Sequence, residues 1–112
     1  MLKDDAVLLD LARVANQIME LTTGMNRAEF DADIRTQLAV LYEIAVLGEA
    51  VKRLSMEFRE QHPEIPWSEI AGMRDKVIHQ YDRVKLDVVW RTIQKDVPEF
   101  ISQIEPLLPI DE

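Results

Sequence analysis

The chain has 112 residues, 30% of them charged, a net charge of −8 and no cysteine. That length suits one domain with a single core, burying roughly 65% of the surface its unfolded form exposes. The absence of cysteine excludes a disulfide framework and a thiolate-held metal, in keeping with a reducing cytoplasm, and the acidic balance repels nucleic acid on average.

Met1-Leu2-Lys3-Asp4-Asp5 lacks the basic-then-apolar pattern of a secretion signal. Asp4 or Asp5 is placed to cap a first helix. Val7, Leu11, Val14, Ile18 and Leu21 then recur at spacings of four and three, the stripe of an amphipathic helix. Gly24 reads as a left-handed stop. Asn26 followed by Glu29 reads as a capping box opening a short helical turn or the second helix itself.

The second helix is predicted to be the longest, about Asp33 to Glu60. One apolar stripe runs Val40, Ile44, Leu47, Val51, Leu54 and Phe58, and another runs Ile34, Leu38, Leu41, Ala45 and Gly48. Two stripes place this helix at the centre of a bundle, against a second subunit, or both. Gly48 weakens a helix by about 1 kcal/mol relative to alanine, a penalty offset where another backbone approaches closely. Glu43 and Glu49 interrupt the longest apolar region, so no membrane span is expected.

Pro63 and Pro66 disfavour helix in the residues before them and break the chain. Trp67 to Ala71 suits one short turn, with Trp67 and Trp90 as core anchors and His62 as a loop residue. Gly72 reads as a hinge into a third helix, Met73 to Gln80. A fourth, Val84 to Lys95, turns Leu86, Val89, Trp90 and Ile93 inward. Pro98 interrupts it, and the apolar face resumes with Phe100, Ile101, Ile104, Leu107 and Leu108. No segment alternates with period two for long enough to make a strand. The expected fold is all-α: an up-and-down bundle of four main helices, the last broken near Pro98.

Gly72 to Leu86 is the one locally basic stretch, with Arg74, Lys76, Arg83 and Lys85 against Asp75 and Asp82. It also gathers Arg74, His79 and Tyr81 within eight positions. An imidazole titrates near neutral pH and can take a proton from a ribose 2′-hydroxyl. A guanidinium suits the oxygens of the charged phosphorane that follows. Such chemistry needs no metal, and no Glu-x-x-His pair of a di-iron bundle is present, because Lys76 and Arg59 stand three residues before the two histidines. No cofactor is expected. Lys76, Arg83 and Lys85 are candidate RNA-phosphate contacts, with solvated side chains as the plainer reading.

On one regular helix His79 would lie about 140° from Arg74. Either Arg74 swings from a frayed helix start beside Gly72, or two chains bring their third helices together across a two-fold axis. The second solution also uses the second apolar stripe of the long helix, and is the one favoured here.

Arg74, His79 and Tyr81 stand in the pattern R-x4-H-x-Y, which resembles the signature of HepT-like proteins of the HEPN superfamily. Gly48-Glu49-Ala50-Val51-Lys52-Arg53-Leu54-Ser55 and His62-Pro63-Glu64-Ile65-Pro66-Trp67-Ser68-Glu69-Ile70 resemble further segments of that family, as do Val89-Trp90 and Asp96-Val97-Pro98. The resemblance implies a single HEPN-like helical domain over residues 1–112 that forms a homodimer. It implies a metal-independent endoribonuclease toxin whose Arg74 and His79 share a cleft between subunits. It also implies a partner, an MntA-like nucleotidyltransferase antitoxin, that adenylylates Tyr81. Asp75 stands where relatives often carry Asn, which bears on the strength of cleavage. The rival expectation is a weakly active or inactive binding module that docks the nucleotidyltransferase.

Overall fold

A computed structural model describes residues 3–79 and 83–110. Helix α1, Lys3–Leu21, buries Val7, Leu8, Leu11, Val14, Ala15 and Ile18. Its stripe ends one turn earlier than expected, for Leu21 is exposed. Gly24 follows with φ +78°, the left-handed conformation expected of it. The capping box at Asn26 is complete. Asn26 Oδ1 accepts from the Glu29 N–H at 2.8 Å, and Glu29 Oε1 accepts from the Asn26 N–H at 3.0 Å. It opens only a short helix, α2, Arg27–Asp31.

Helix α3, Ile34–Lys52, is the central element and packs against α1. It is shorter than the predicted run to Glu60. Ser55 takes an extended conformation (φ −64°, ψ 151°) and caps a separate helix, α4, Met56–Gln61, its Oγ accepting from the Phe58 N–H at 3.1 Å. The reason for the break lies far away in sequence. The Asp4 carboxylate accepts from the Ser55 N–H at 2.8 Å and from the Ser55 hydroxyl at 2.7 Å. Asp4 therefore lies within the first turn of α1 and braces the start of α4, in place of its expected role as a cap for α1.

This brace predicts a pH dependence. The Ser55 backbone N–H first, then its hydroxyl, hold the Asp4 carboxyl below its ordinary value of 3.8. A lowered folded-state value means that the stabilisation is present above the unfolded value and lost as pH falls through the folded one. Asp4→Ala should lower stability at neutral pH by about 1 kcal/mol, discounted for solvent access. It should also flatten the decline of stability below pH ~4. Superimposable pH profiles of unfolding for the two proteins would rule the brace out.

Of the two stripes on α3, Val40, Ile44, Leu47 and Val51 are wholly buried. The other stays open at one end. Its Ile34 and Leu38 are 61% and 59% exposed, and Tyr42, which was not part of the predicted stripe, is 67% exposed beside them. Leu41 and Ala45 are half-buried and Gly48 is buried. A β-carbon on Gly48 would stand 2.8 Å from the carbonyl oxygen of Ala71, so the close backbone approach expected there is present.

That approaching backbone is α5, Trp67–Ala71, with Trp67 anchored by its indole N–H donating to the His62 carbonyl at 3.0 Å. Helix α6, Met73–Val77, follows directly and buries Met73 and Val77. Two short strands, β1 (Ile78–His79) and β2 (Arg83–Val84), pair antiparallel with His79 opposite Arg83. Helix α7, Leu86–Arg91, runs through a π turn at Thr92–Asp96 into α8, Val97–Ile104, which packs on α1. The expected interruption near Pro98 takes this form. Proline has no N–H for the carbonyl four residues back, and the wider turn closes instead with the Val97 N–H on the Thr92 carbonyl. The fold is all-α, with a two-residue ladder as its one sheet-like feature among the described residues. None of the described helices is long and apolar enough to cross a membrane.

Candidate functional site

The basic stretch does not form one helix. The third helix was predicted from Met73 to Gln80, but α6 ends at Val77. A five-residue helix has too few internal hydrogen bonds to persist alone. Here the Val77 carbonyl accepts from the Lys85 N–H at 2.9 Å, and β-branched Ile78 and Val84 pair in the ladder. The chain thus turns back on itself beyond Val77. The 140° separation of Arg74 and His79, calculated for a continuous helix, does not apply, because His79 lies in β1.

Each predicted residue has a defined backbone position or falls outside the described segment. Arg74 is on α6 with 57% of its side chain exposed, and its Nη1 lies 3.3 Å from Asp75 Oδ1. That contact joins neighbouring residues at the surface, so it leaves the guanidinium available to solvent-borne anions. His79 is five positions on, at the ladder position facing Arg83. Tyr81 lies outside the described residues. Lys85 is exposed and precedes α7. Lys76 is exposed too, but it lines a small hollow, of about 50 Å³, with Glu69, Asp96 and Glu99. Those carboxylates come from α5, the π turn and α8, and they oppose any attraction of Lys76 for phosphate. No sequence signal announced this grouping, since Lys76 and Asp96 are far apart in the chain.

Two features position the arginine. Gly48 lets the end of α5 lie on α3, and Gly72 then turns the chain into α6 within one residue. Buried Met73 and Val77 pin α6 from both ends, and its exposed residues between them are Arg74, Asp75 and Lys76. Arg74 is therefore presented by an anchored element, a few residues from the place where the open stripe of α3 ends. Among the described residues no group of three or more His, Asp or Glu side chains is arranged to hold a metal ion.

Comparison with known proteins bears on what such an arrangement does. Residues 11–107 match the family model described as "Ribonuclease HepT-like". A protein of Caldanaerobacter subterraneus named "Putative RNase TTE0752" is 42% identical over 91 residues, covering 81% of each chain. "Probable ribonuclease HepT" of Thermococcus cleftensis is 40% identical over 100 residues, 89% of this chain and 91% of the relative. "Putative RNase MJ0127" of Methanocaldococcus jannaschii is 36% identical over 103 residues, 92% of this chain and 85% of the relative. No solved structure gives a significant match.

Proposed function

This chain belongs to the HepT-like ribonuclease family, and on that premise we propose that it is a metal-independent endoribonuclease, the toxin of a toxin–antitoxin pair. The observation that carries the reading is the family match over residues 11–107, which spans both Arg74 and His79. The placement of Arg74 on an anchored, solvent-facing helix supports it.

In this reading the His79 imidazole takes the proton of a ribose 2′-hydroxyl. The 2′-oxygen bonds to the adjacent phosphorus, and the bond from phosphorus to the 5′-oxygen breaks. The imidazolium returns its proton to that leaving oxygen, so proton and charge balance. Arg74 donates to the non-bridging oxygens as their negative charge grows. Two copies of the chain supply one cleft, in which Arg74 and His79 of both copies act together. Arg83 and Lys85 are the further candidate contacts to RNA phosphate. Lys76 is the weakest of the three, given the carboxylates that share its hollow.

An MntA-like nucleotidyltransferase is the proposed antitoxin, and Tyr81 its target. Transfer of AMP to the phenol oxygen, with release of pyrophosphate from ATP, adds bulk and negative charge two residues from His79. Both oppose entry of an RNA phosphate. Tyr81→Phe should therefore remain toxic in the presence of the partner enzyme and ATP, and should take up no label. Equal labelling of that variant at the same peptide would place the target elsewhere.

The direct test of the activity is cleavage of RNA by the purified protein in EDTA. Cutting by the wild type that is lost in the His79 variant supports the reading. A second reading, a weakly active module that docks the nucleotidyltransferase, draws on the Asp75 carboxylate beside Arg74 and on the net charge of −8. Binding to the partner with no cleavage of any RNA would favour it.

A further inference from the structure

Helix α2 has five residues, too few to persist alone, yet it is held at three points. The capping box fixes its start. At its end the buried Gln37 amide donates from Nε2 to the carbonyls of Phe30 at 2.9 Å and Asp31 at 3.0 Å. The wholly buried Phe30 ring meets Trp90 of α7, with centroids 5.4 Å apart. From this post Arg27 reaches across to α7. Its Nε donates to Asp31 Oδ1 at 2.8 Å, and its Nη1 lies 2.7 Å from Asp87 Oδ1. The second contact is the shortest ion pair among the described residues, and it joins α2 to the first turn of α7.

We infer, resting on the ribonuclease reading above, that Arg27 is a positioning residue: by holding Asp87 it sets the outgoing arm of the hairpin that carries His79. The ladder of that hairpin is two residues long, too short to fix its own geometry. The elements on either side must do so. The incoming arm is anchored by buried Met73 and Val77 of α6. The outgoing arm passes straight into α7, with the Lys85 N–H closing on the Val77 carbonyl at 2.9 Å. Asp87 is two positions beyond Lys85, and Trp90 three positions further. Of the two fastenings between α2 and α7, the Arg27 contact is thus the one nearer the hairpin. Without it α7 is still held at Trp90 and at buried Val89, but its first turn and the arm leading into it can shift relative to α6.

Charge supports the same assignment. The Asp87 side chain is 89% exposed and stands two residues from Lys85, a candidate phosphate contact. A bare carboxylate there opposes the approach of RNA, within the ~10 Å over which charges act at ordinary salt. Arg27 covers it. Arginine suits this place because its planar fork faces two carboxylates at once, from Nε and from Nη1, whereas the point charge of lysine holds one.

The test pairs amide hydrogen exchange of the whole chain, without RNA, with kcat and KM for RNA cleavage in EDTA. Arg27→Ala should keep the helicity of the wild type, exchange the Lys85 N–H about fivefold faster and lower kcat about fivefold. Asp87→Ala should change exchange and kcat in the same way. The double variant should be no worse than either single one, because both remove one contact. KM separates the charge effect: Arg27→Ala should raise it, more so at low salt, and Asp87→Ala should not. Arg27→Lys should restore KM but only part of kcat. Either an unchanged Lys85 exchange or an unchanged kcat in Arg27→Ala would overturn the inference, as would losses that multiply in the double variant. A wild type that cuts no RNA would overturn the ribonuclease reading, whereas wild-type cleavage that Arg27→Ala matches would overturn the positioning role alone.

Discussion

Replacing His79 by alanine should reduce RNA cleavage by about 10²–10⁴-fold, the range that a positioned general base contributes. His79 holds its place through backbone pairing with Arg83, and alanine retains the same N–H and carbonyl. Unchanged helicity alongside a loss of activity would report the imidazole and not the hairpin. Arg74→Ala should fall by a similar or greater factor, since it removes the donor aimed at the developing charge. Arg74→Lys separates charge from geometry. Lysine keeps the positive charge but not the planar fork, so it should recover only part of the loss. These variants are compared as kcat/KM on one RNA in EDTA, with dimer content and helicity measured alongside. Retention of full activity by both alanine variants would remove the proposed mechanism, whatever their effect on stability.

The second large effect is expected at a residue that carries no chemistry. Gly48→Ala should destabilise the fold by about 1–3 kcal/mol. In an exposed helix the same change would stabilise by nearly 1 kcal/mol, because alanine is the better helix former. The sign reverses here because the new β-carbon would meet the Ala71 carbonyl oxygen at 2.8 Å and that of Ile70 at 3.3 Å. Both are backbone atoms near the end of α5, so no side chain can rotate out of the way. The α5 segment must lift, and α6 follows it through Gly72, carrying Arg74. Activity should therefore drop along with the denaturant midpoint. A variant as stable as the wild type by chemical unfolding would show that α5 does not press on α3 at this point.

These two residues illustrate different kinds of legibility. Gly48 was readable as a site of close approach, because a glycine within a strongly apolar helix is unfavourable unless another backbone needs the space. Which backbone approaches could not be read, since Ala71 is contributed by a segment beyond two prolines. Asp4 gave a misleading local signal. An aspartate near a helix start reads as a cap, yet its carboxylate bonds Ser55 across 51 positions of sequence. That contact ends α3 at Lys52 and cuts the predicted 28-residue helix in two. The same limit applies to α6. Apolar periodicity continues smoothly through Val77, and only pairing with the returning strand shows that the helix has ended.

The amino-acid sequence by itself determined the all-α class, the buried stripes of α1 and α3, the left-handed turn at Gly24 and the capping box at Asn26. Each of these depends on residues within a few positions of one another, where helical spacing and local hydrogen bonding decide the outcome. Tertiary structure alone decided where α3 stops, that His79 leaves the helix for a hairpin, that Lys76 sits among three carboxylates, and that the Ile34–Tyr42 face remains open. Those outcomes rest on contacts between distant segments, and their energies exceed the small local preferences that a sequence pattern records.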